Sequence, residues 1–220
     1  MSMREDYLLR HIRQFIQALT SIRGLAAIRQ EHAALDAINE AAGQLLGLRS
    51  SRGPLLSVRE RVSQLTVGEL AELGHETRAA LASLLKEAAA IHIRQDRETE
   101  GYRCYVQALH LMLDMAAHDG AAVLPDWAPR IEDLVAALAP FSLPPSLNAM
   151  LLEYYERTGA YGKAEDILFA MRAQAPEDDS VRTSGRAFYR RLQHRADDDL
   201  MAGNLPRDEV DAGLAGLDDE

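Results

Sequence analysis

The chain has 220 residues, 47% hydrophobic and 26% charged, with a net charge of −10, the make-up of an ordinary soluble globular protein with room for one sizeable core or two small ones. Residues 196–220 hold nine acids against the single base Arg207, so that segment carries −8 and the rest only −2. A nearly neutral body argues against nucleic-acid binding, whose affinity rests on cationic contacts to phosphate. Valine and isoleucine are sparse beside alanine and leucine, which favours helix over sheet.

The start, MSMREDYLLRHIRQ, lacks the apolar core of a signal peptide, and no stretch approaches the ~20 apolar residues of a membrane span; a cytoplasmic protein is expected. Residues 5–23 place Tyr7, Leu8, Ile12, Phe15, Ile16 and Leu19 on one helix face, with Arg10, His11 and Arg13 beside or opposite it. Glu5 and Asp6 suit a helix start, so this reads as a first helix packed on the next. The alternative for a basic amphipathic helix is membrane contact through residues 5–23.

A second helix is expected over about Gln30–Leu48, then a loop from Arg49 to Pro54. Ser57-x-x-Glu60 and Thr66-x-x-Glu69 have capping-box form and predict two short helices. After Gly74-His75 a long helix runs from about Glu76 to Gln95, and the turn Gln95-Asp96-Arg97 reverses the chain into another that ends at Asp119-Gly120. Cys104, the lone cysteine, has no disulfide or C-x-x-C partner and reads as a small buried hydrophobe. Pro125-Asp126-Trp127 is expected to open a helix with Asp126 as N-cap and a stop at Pro140.

Leu147, Met150, Leu151, Tyr154 and Tyr155 then recur at helical spacing. After Thr158-Gly159 the period restarts with Tyr161, Ala164, Ile167, Leu168 and Met171, which makes an αα-hairpin. Gly159 ends the first helix where a left-handed residue is cheap, and Pro176 stops the second. Val181–Leu192 reads as a capping helix, a last short helix starts near Pro206, and the end beyond Leu217 is expected to fray.

Tyr155, Gly159, Tyr161, Ala164, Leu168 and Pro176 resemble the Y, G-x-Y-x-x-A, F and closing P of a tetratricopeptide repeat. Ala34, Ile38 and Ala41 have the offsets of that repeat's second helix, with Arg29 standing where the family has glycine. Gly101, Tyr105 and Ala108 repeat the pattern. Ala34, Gly101 and Ala164 lie 67 and 63 residues apart, each close to twice the ~34-residue period. The resemblance implies an all-α fold, a tetratricopeptide-like α-α superhelix of about 9–11 helices with degenerate repeats. It would form a single domain over 1–195, with a helical insertion at about 50–75, followed by a partly frayed acidic segment, 196–220, with a short helix. R-E-D-Y-L-L-R at Arg4–Arg10 and T-G-x-Y-x-K-A-E-D-x-L-F at Thr158–Phe169 also resemble a bacterial family of such proteins without assigned activity, over most of the chain.

Catalytic signals are thin. His110, Asp114 and His118 have i, i+4, i+8 spacing, and each His/Asp pair could share a metal; but eight residues span roughly 12 Å of helix, so they read as a polar face and no metal is expected. Gly159-Ala160-Tyr161-Gly162-Lys163 is no phosphate loop: it lacks the spacing, has Ala164 in place of Ser or Thr, and follows a helix. No nucleophile elbow or zincin motif is present, so neither catalytic residues nor cofactors are expected. The resemblance places Lys86, Arg94, Glu153, Glu156 and Arg157 on a concave groove. Lys86 and Arg94 could clamp a peptide carboxylate, although Ala90 stands where chaperone-binding members carry asparagine.

The expected function is a non-catalytic scaffold or adaptor that binds a protein or peptide, or another copy of itself, with the acidic tail tuning solubility or competing for the groove. The alternative is a helical small-molecule or metal-dependent sensor or enzyme with a pocket near the 50–75 insertion.

Overall fold

The structure, a computed structural model, describes residues 3–47, 56–118 and 124–218. Among these residues there are twelve helices and no strand, one helix more than the upper expectation because the acidic segment contributes two. The Arg49–Pro54 loop and the Asp119-Gly120 break lie outside the described residues. The chain gathers into two compact units, Met1–Ser142 and Leu143–Glu220.

In the first unit α1 (Met3–Ala27) pairs with α2 (Glu31–Leu45), and α5 (His75–Arg94) pairs with α6 (Glu98–His118). α5 also packs on α1 and α2. Its small faces permit this: Ala79, Ala80, Ala82, Ala88 and Ala89 are buried with Leu81, Leu84 and Leu85. Phe15, Leu19 and Ile22 of α1 are buried too, and Phe15 meets Trp127 edge-on at 4.9 Å. That part of the amphipathic face is spent inside the unit, while the side chains of Tyr7 and Leu8 fall outside the described set.

The 50–75 region folds as α3 (Val58–Ser63) and α4 (Val67–Glu72). Both capping boxes form, with Glu60 and Glu69 each accepting from the N-cap backbone at 2.8 Å. Those hydrogen bonds hold both carboxyls below their usual range. The Asn39 side chain accepts from Val58 N at 2.9 Å and ties α3 to α2. One expectation fails next. α7 spans Ile131–Leu138, with Arg130 rather than Asp126 as N-cap, and Asp126-Trp127 is a turn. Pro129 is the reason: it disfavours helical backbone at the residue before it, so a helix cannot run through.

The second unit begins with α8 (Pro145–Arg157) and α9 (Tyr161–Gln174), the expected hairpin, and continues with α10 (Asp179–Leu192), which packs on α9. The acidic segment forms α11 (Asp197–Ala202) and α12 (Arg207–Asp218). It is an integral layer: Leu200, Leu205, Val210 and Leu217 are fully buried, and α12 packs on α10. Arg207 donates to the carbonyls of Leu192 and Gln193 at the end of α10 while bonding Asp197 at 2.8 Å, a cation at a helix C-terminus. Tyr189 OH donates to Glu165 at 2.7 Å, and burial raises the pKa of both groups.

Three hairpin turns share one geometry. Arg29 (φ 61), Asp96 (φ 58) and Gly159 (φ 75) are left-handed. The residue after each returns a backbone hydrogen bond five residues back, Gln30 to Leu25, Arg97 to His92 and Ala160 to Tyr155, each 2.9 Å. This is the Schellman closure of a helix end. It explains why Arg29 can stand in a glycine position, at a conformational cost of roughly 1–2 kcal/mol.

Arg29→Gly should therefore raise stability by about 1 kcal/mol and Gly159→Ala lower it by about as much, read by urea unfolding. Gly203 lies against the α8–α9 turn, where an added Cβ would fall 2.5 Å from Gly159 O and 2.3 Å from the Tyr161 ring. Gly203→Ala should cost about 2 kcal/mol or more from overpacking, measured the same way.

Candidate functional site

Two clefts bring charged and apolar side chains together. The larger, about 600 Å³, lies in the second unit between α8 and α10. Ala149, Leu152, Glu153 and Glu156 line it from α8 at i, i+3, i+4 and i+7, which is one helix face; Ser184, Ala187 and Arg191 line it from α10 on the same logic. Arg191 grips Glu156 with two bonds of 2.6 and 2.7 Å, a bidentate pair that fixes the spacing of the two helices. The Glu156 carboxylate in turn holds the Arg191 guanidinium above its ordinary pKa. Leu152 and Met171 supply apolar surface, and Arg157 and Arg195 complete the wall.

The five expected groove residues do not form one described site. Glu153, Glu156 and Arg157 line this cleft, whereas Lys86 and Arg94 belong to the first unit. There Lys86 lies 3.4 Å from Asp133 of α7, and Arg94 lies 3.5 Å from Glu31 at the start of α2. The two cations thus answer acids on different neighbours. Arg191, Ser184 and Ala187 were missed because α10 reads in sequence as a cap. The signal that could have found them is their own i, i+3, i+7 spacing, offset from the apolar stripe of Phe188, Tyr189 and Leu192.

The second cleft, about 430 Å³, lies in the first unit where α3 meets α2, α5 and α6. Leu35, Val58, Ala88 and Cys104 give it apolar surface; Asp36, Arg59, Glu60, Arg97 and Glu100, with His32, bring charge and polarity. His92 also lines it. Its Nδ1 is buried without a hydrogen-bond partner among the described residues, and burial, then Arg97, pushes its pKa down. Burial pushes the Cys104 thiol up to about 11, so it stays protonated and unreactive at neutral pH.

The metal candidates diverge. Asp114 takes Arg78, whose side chain is 7% exposed, at 3.3 Å, and His118 Nδ1 lies 2.9 Å from Asp114 O and 3.3 Å from its carboxylate. Among the described residues no group of three His, Cys, Asp or Glu side chains is placed to hold a metal ion, and no helix is long and apolar enough to cross a membrane. Asp114 is thus less a solvated surface acid than the counter-charge of a buried arginine. Gly162, in the loop set aside as a phosphate site, donates its N–H to Gly203 O at 2.9 Å; that glycine serves packing.

Helical hairpins and open, charged clefts define an all-α protein. The chain belongs to the family of unknown function DUF6483, which matches residues 2–220, in line with the expectation of a family without assigned activity over most of the sequence. No curated protein and no solved structure matches it.

A neutral His92 leaves a pH signature. Its folded pKa lies below the ordinary 6.5, so the unfolded chain takes the proton first, and the stability linked to this group, intact above that value, is lost as pH falls through the folded pKa. The wild type should lose stability relative to His92→Gln between about pH 7.5 and 5, read by paired urea titrations; a constant difference would contradict a lowered His92 pKa.

Proposed function

We propose that the protein is a non-catalytic, tetratricopeptide-like interaction module that holds a segment of a partner protein, or of a second copy of itself, in the α8–α10 cleft. The observation that carries this reading is the cleft itself: two neighbouring helices hold apart an open trough with apolar patches and charged walls, the form in which helical-hairpin arrays take peptides. The tetratricopeptide-like build draws support from the three identical left-handed turns at Arg29, Asp96 and Gly159. It also draws support from burial of the small residues Ala34, Gly101 and Ala164, each five positions after its turn. In the first unit α5 packs on both members of the preceding pair, as the first helix of a following repeat does.

A second reading has its own observation. The cleft beside α3 suits a small-molecule sensor at the 50–75 insertion.

A photo-crosslinking residue at Ser184, expressed in host cells, tests the first reading. One dominant adduct is expected, with another protein or a second copy. Its yield should fall roughly tenfold with Glu153→Lys, the effect of ~1.4 kcal/mol. Adducts no different from those formed by a crosslinker at exposed Arg103, outside the cleft, would defeat it.

A further inference from the structure

We infer that the α2–α3–α5–α6 cleft of the first unit is a site for a free amino acid with an apolar side chain, its carboxylate received by Arg59 and Arg97 and its ammonium by Asp36 and Glu100. The inference rests on the second reading above, that this cleft takes a ligand at all.

Charges of both signs line the same 430 Å³ without neutralising one another. Arg59, Asp36 and Glu100 form no ion pair among the described residues, and the Arg97 side chain bonds only the neutral Gln95 among them. Glu60 is already spent on its capping box with Ser57. A simple anion would be drawn by two guanidiniums but opposed by Asp36, Glu60 and Glu100, and a simple cation would meet the reverse. A zwitterion satisfies both sets at once. Leu35, Val58, Ala88 and the protonated thiol of Cys104 then offer an apolar lining to a hydrocarbon side chain. A neutral His92 adds hydrogen-bonding capacity without unbalancing the charge. The volume lies within the roughly 300–1,000 Å³ range of small-molecule pockets. The insertion supplies a reason for itself: α3, capped at Ser57 and pinned to α2 through Asn39, delivers Arg59 to a cleft whose other walls are α2, α5 and α6.

Thermal unfolding of the full chain tests this with matched probes. Leucine, isoleucine, methionine and phenylalanine are each titrated to about 10 mM. The controls are 4-methylpentanoate (leucine without its ammonium), 3-methylbutylamine (leucine without its carboxylate) and inorganic phosphate. At least one amino acid should raise Tm saturably, by mass action on the folded state, and the controls should not. Arg59→Gln and Asp36→Asn should each weaken that response at least tenfold with helicity unchanged by circular dichroism, whereas Glu153→Lys in the other unit should leave it intact. An equal rise with 4-methylpentanoate or phosphate would preserve a ligand cleft and overturn the zwitterion. A rise indifferent to Arg59→Gln and Asp36→Asn would place the site elsewhere and overturn the inference. No rise with any probe would end both this inference and the reading beneath it.

Discussion

Everything in this protein depends on reversing a helix in three residues. At Arg29, Asp96 and Gly159 a single left-handed residue turns the chain and a five-residue-back hydrogen bond seals the helix end. The next helix begins two positions later, at Glu31, Glu98 and Tyr161. Five positions after each turn sits a small residue, Ala34, Gly101 or Ala164, buried where the paired helices come close. The turn sets where the second helix starts, and the small residue sets how near it lies. Only one of the three turns uses glycine, so packing across each hairpin must offset the strain of the other two.

The insertion shows how local chemistry can build a wall. α3 and α4 are six residues each, too short to persist alone, yet each carries a complete capping box. A box satisfies two donors at a helix start with side chains already present, and α3 gains a further anchor from Asn39. A rigid short helix can then hold a charged side chain over a cleft that longer helices only frame. Arg59 is in that position. Burial does most to lower the His92 pKa, and the fields of Arg97 and Arg59 add to it, so side chains from α3, α5 and the α5–α6 turn act on one another across the cleft.

How much of this could be read beforehand follows from the range of each interaction. The αα-hairpins, both capping boxes and the break at Gly159 are written in residues within a few positions of each other, and they were legible. The failure at Asp126 has the same scale: an N-cap preference of about 1 kcal/mol does not carry a helix through the backbone restriction that Pro129 imposes three residues on. The clefts were not legible. Glu156 meets Arg191 across 35 residues and Arg78 meets Asp114 across 36, and nothing local marks either pair. The resemblance groups Lys86 and Arg94 on one groove, but which neighbour each meets, α7 or α2, is a fact of packing. The half of the groove expectation that fell on α8 lines a cleft, because its i, i+3, i+4, i+7 face and the opening coincide.

The acidic segment shows why net charge is a poor guide to what a segment does. Its −8 suggests a solvated tail, yet Leu200, Leu205, Val210 and Leu217 are buried while Asp197, Asp198, Asp199, Asp208, Glu209 and Asp211 are exposed. α10 is the element that makes both roles compatible. Its cleft face carries Ser184, Ala187 and Arg191, while Gly185 and Tyr189, roughly 100–160° round the axis, receive Leu217 and Gly213 of α12. One helix thus presents an open charged face and a closed apolar one side by side. The segment in its docked form does not compete for the α8–α10 cleft; it completes the other side of the helix that walls it. The Arg207 bonds to the carbonyls of Leu192 and Gln193 fix the end of α10, which holds the adjacent Arg191 within reach of Glu156. The tail and the cleft are therefore joined through α10, and loosening one should loosen the other.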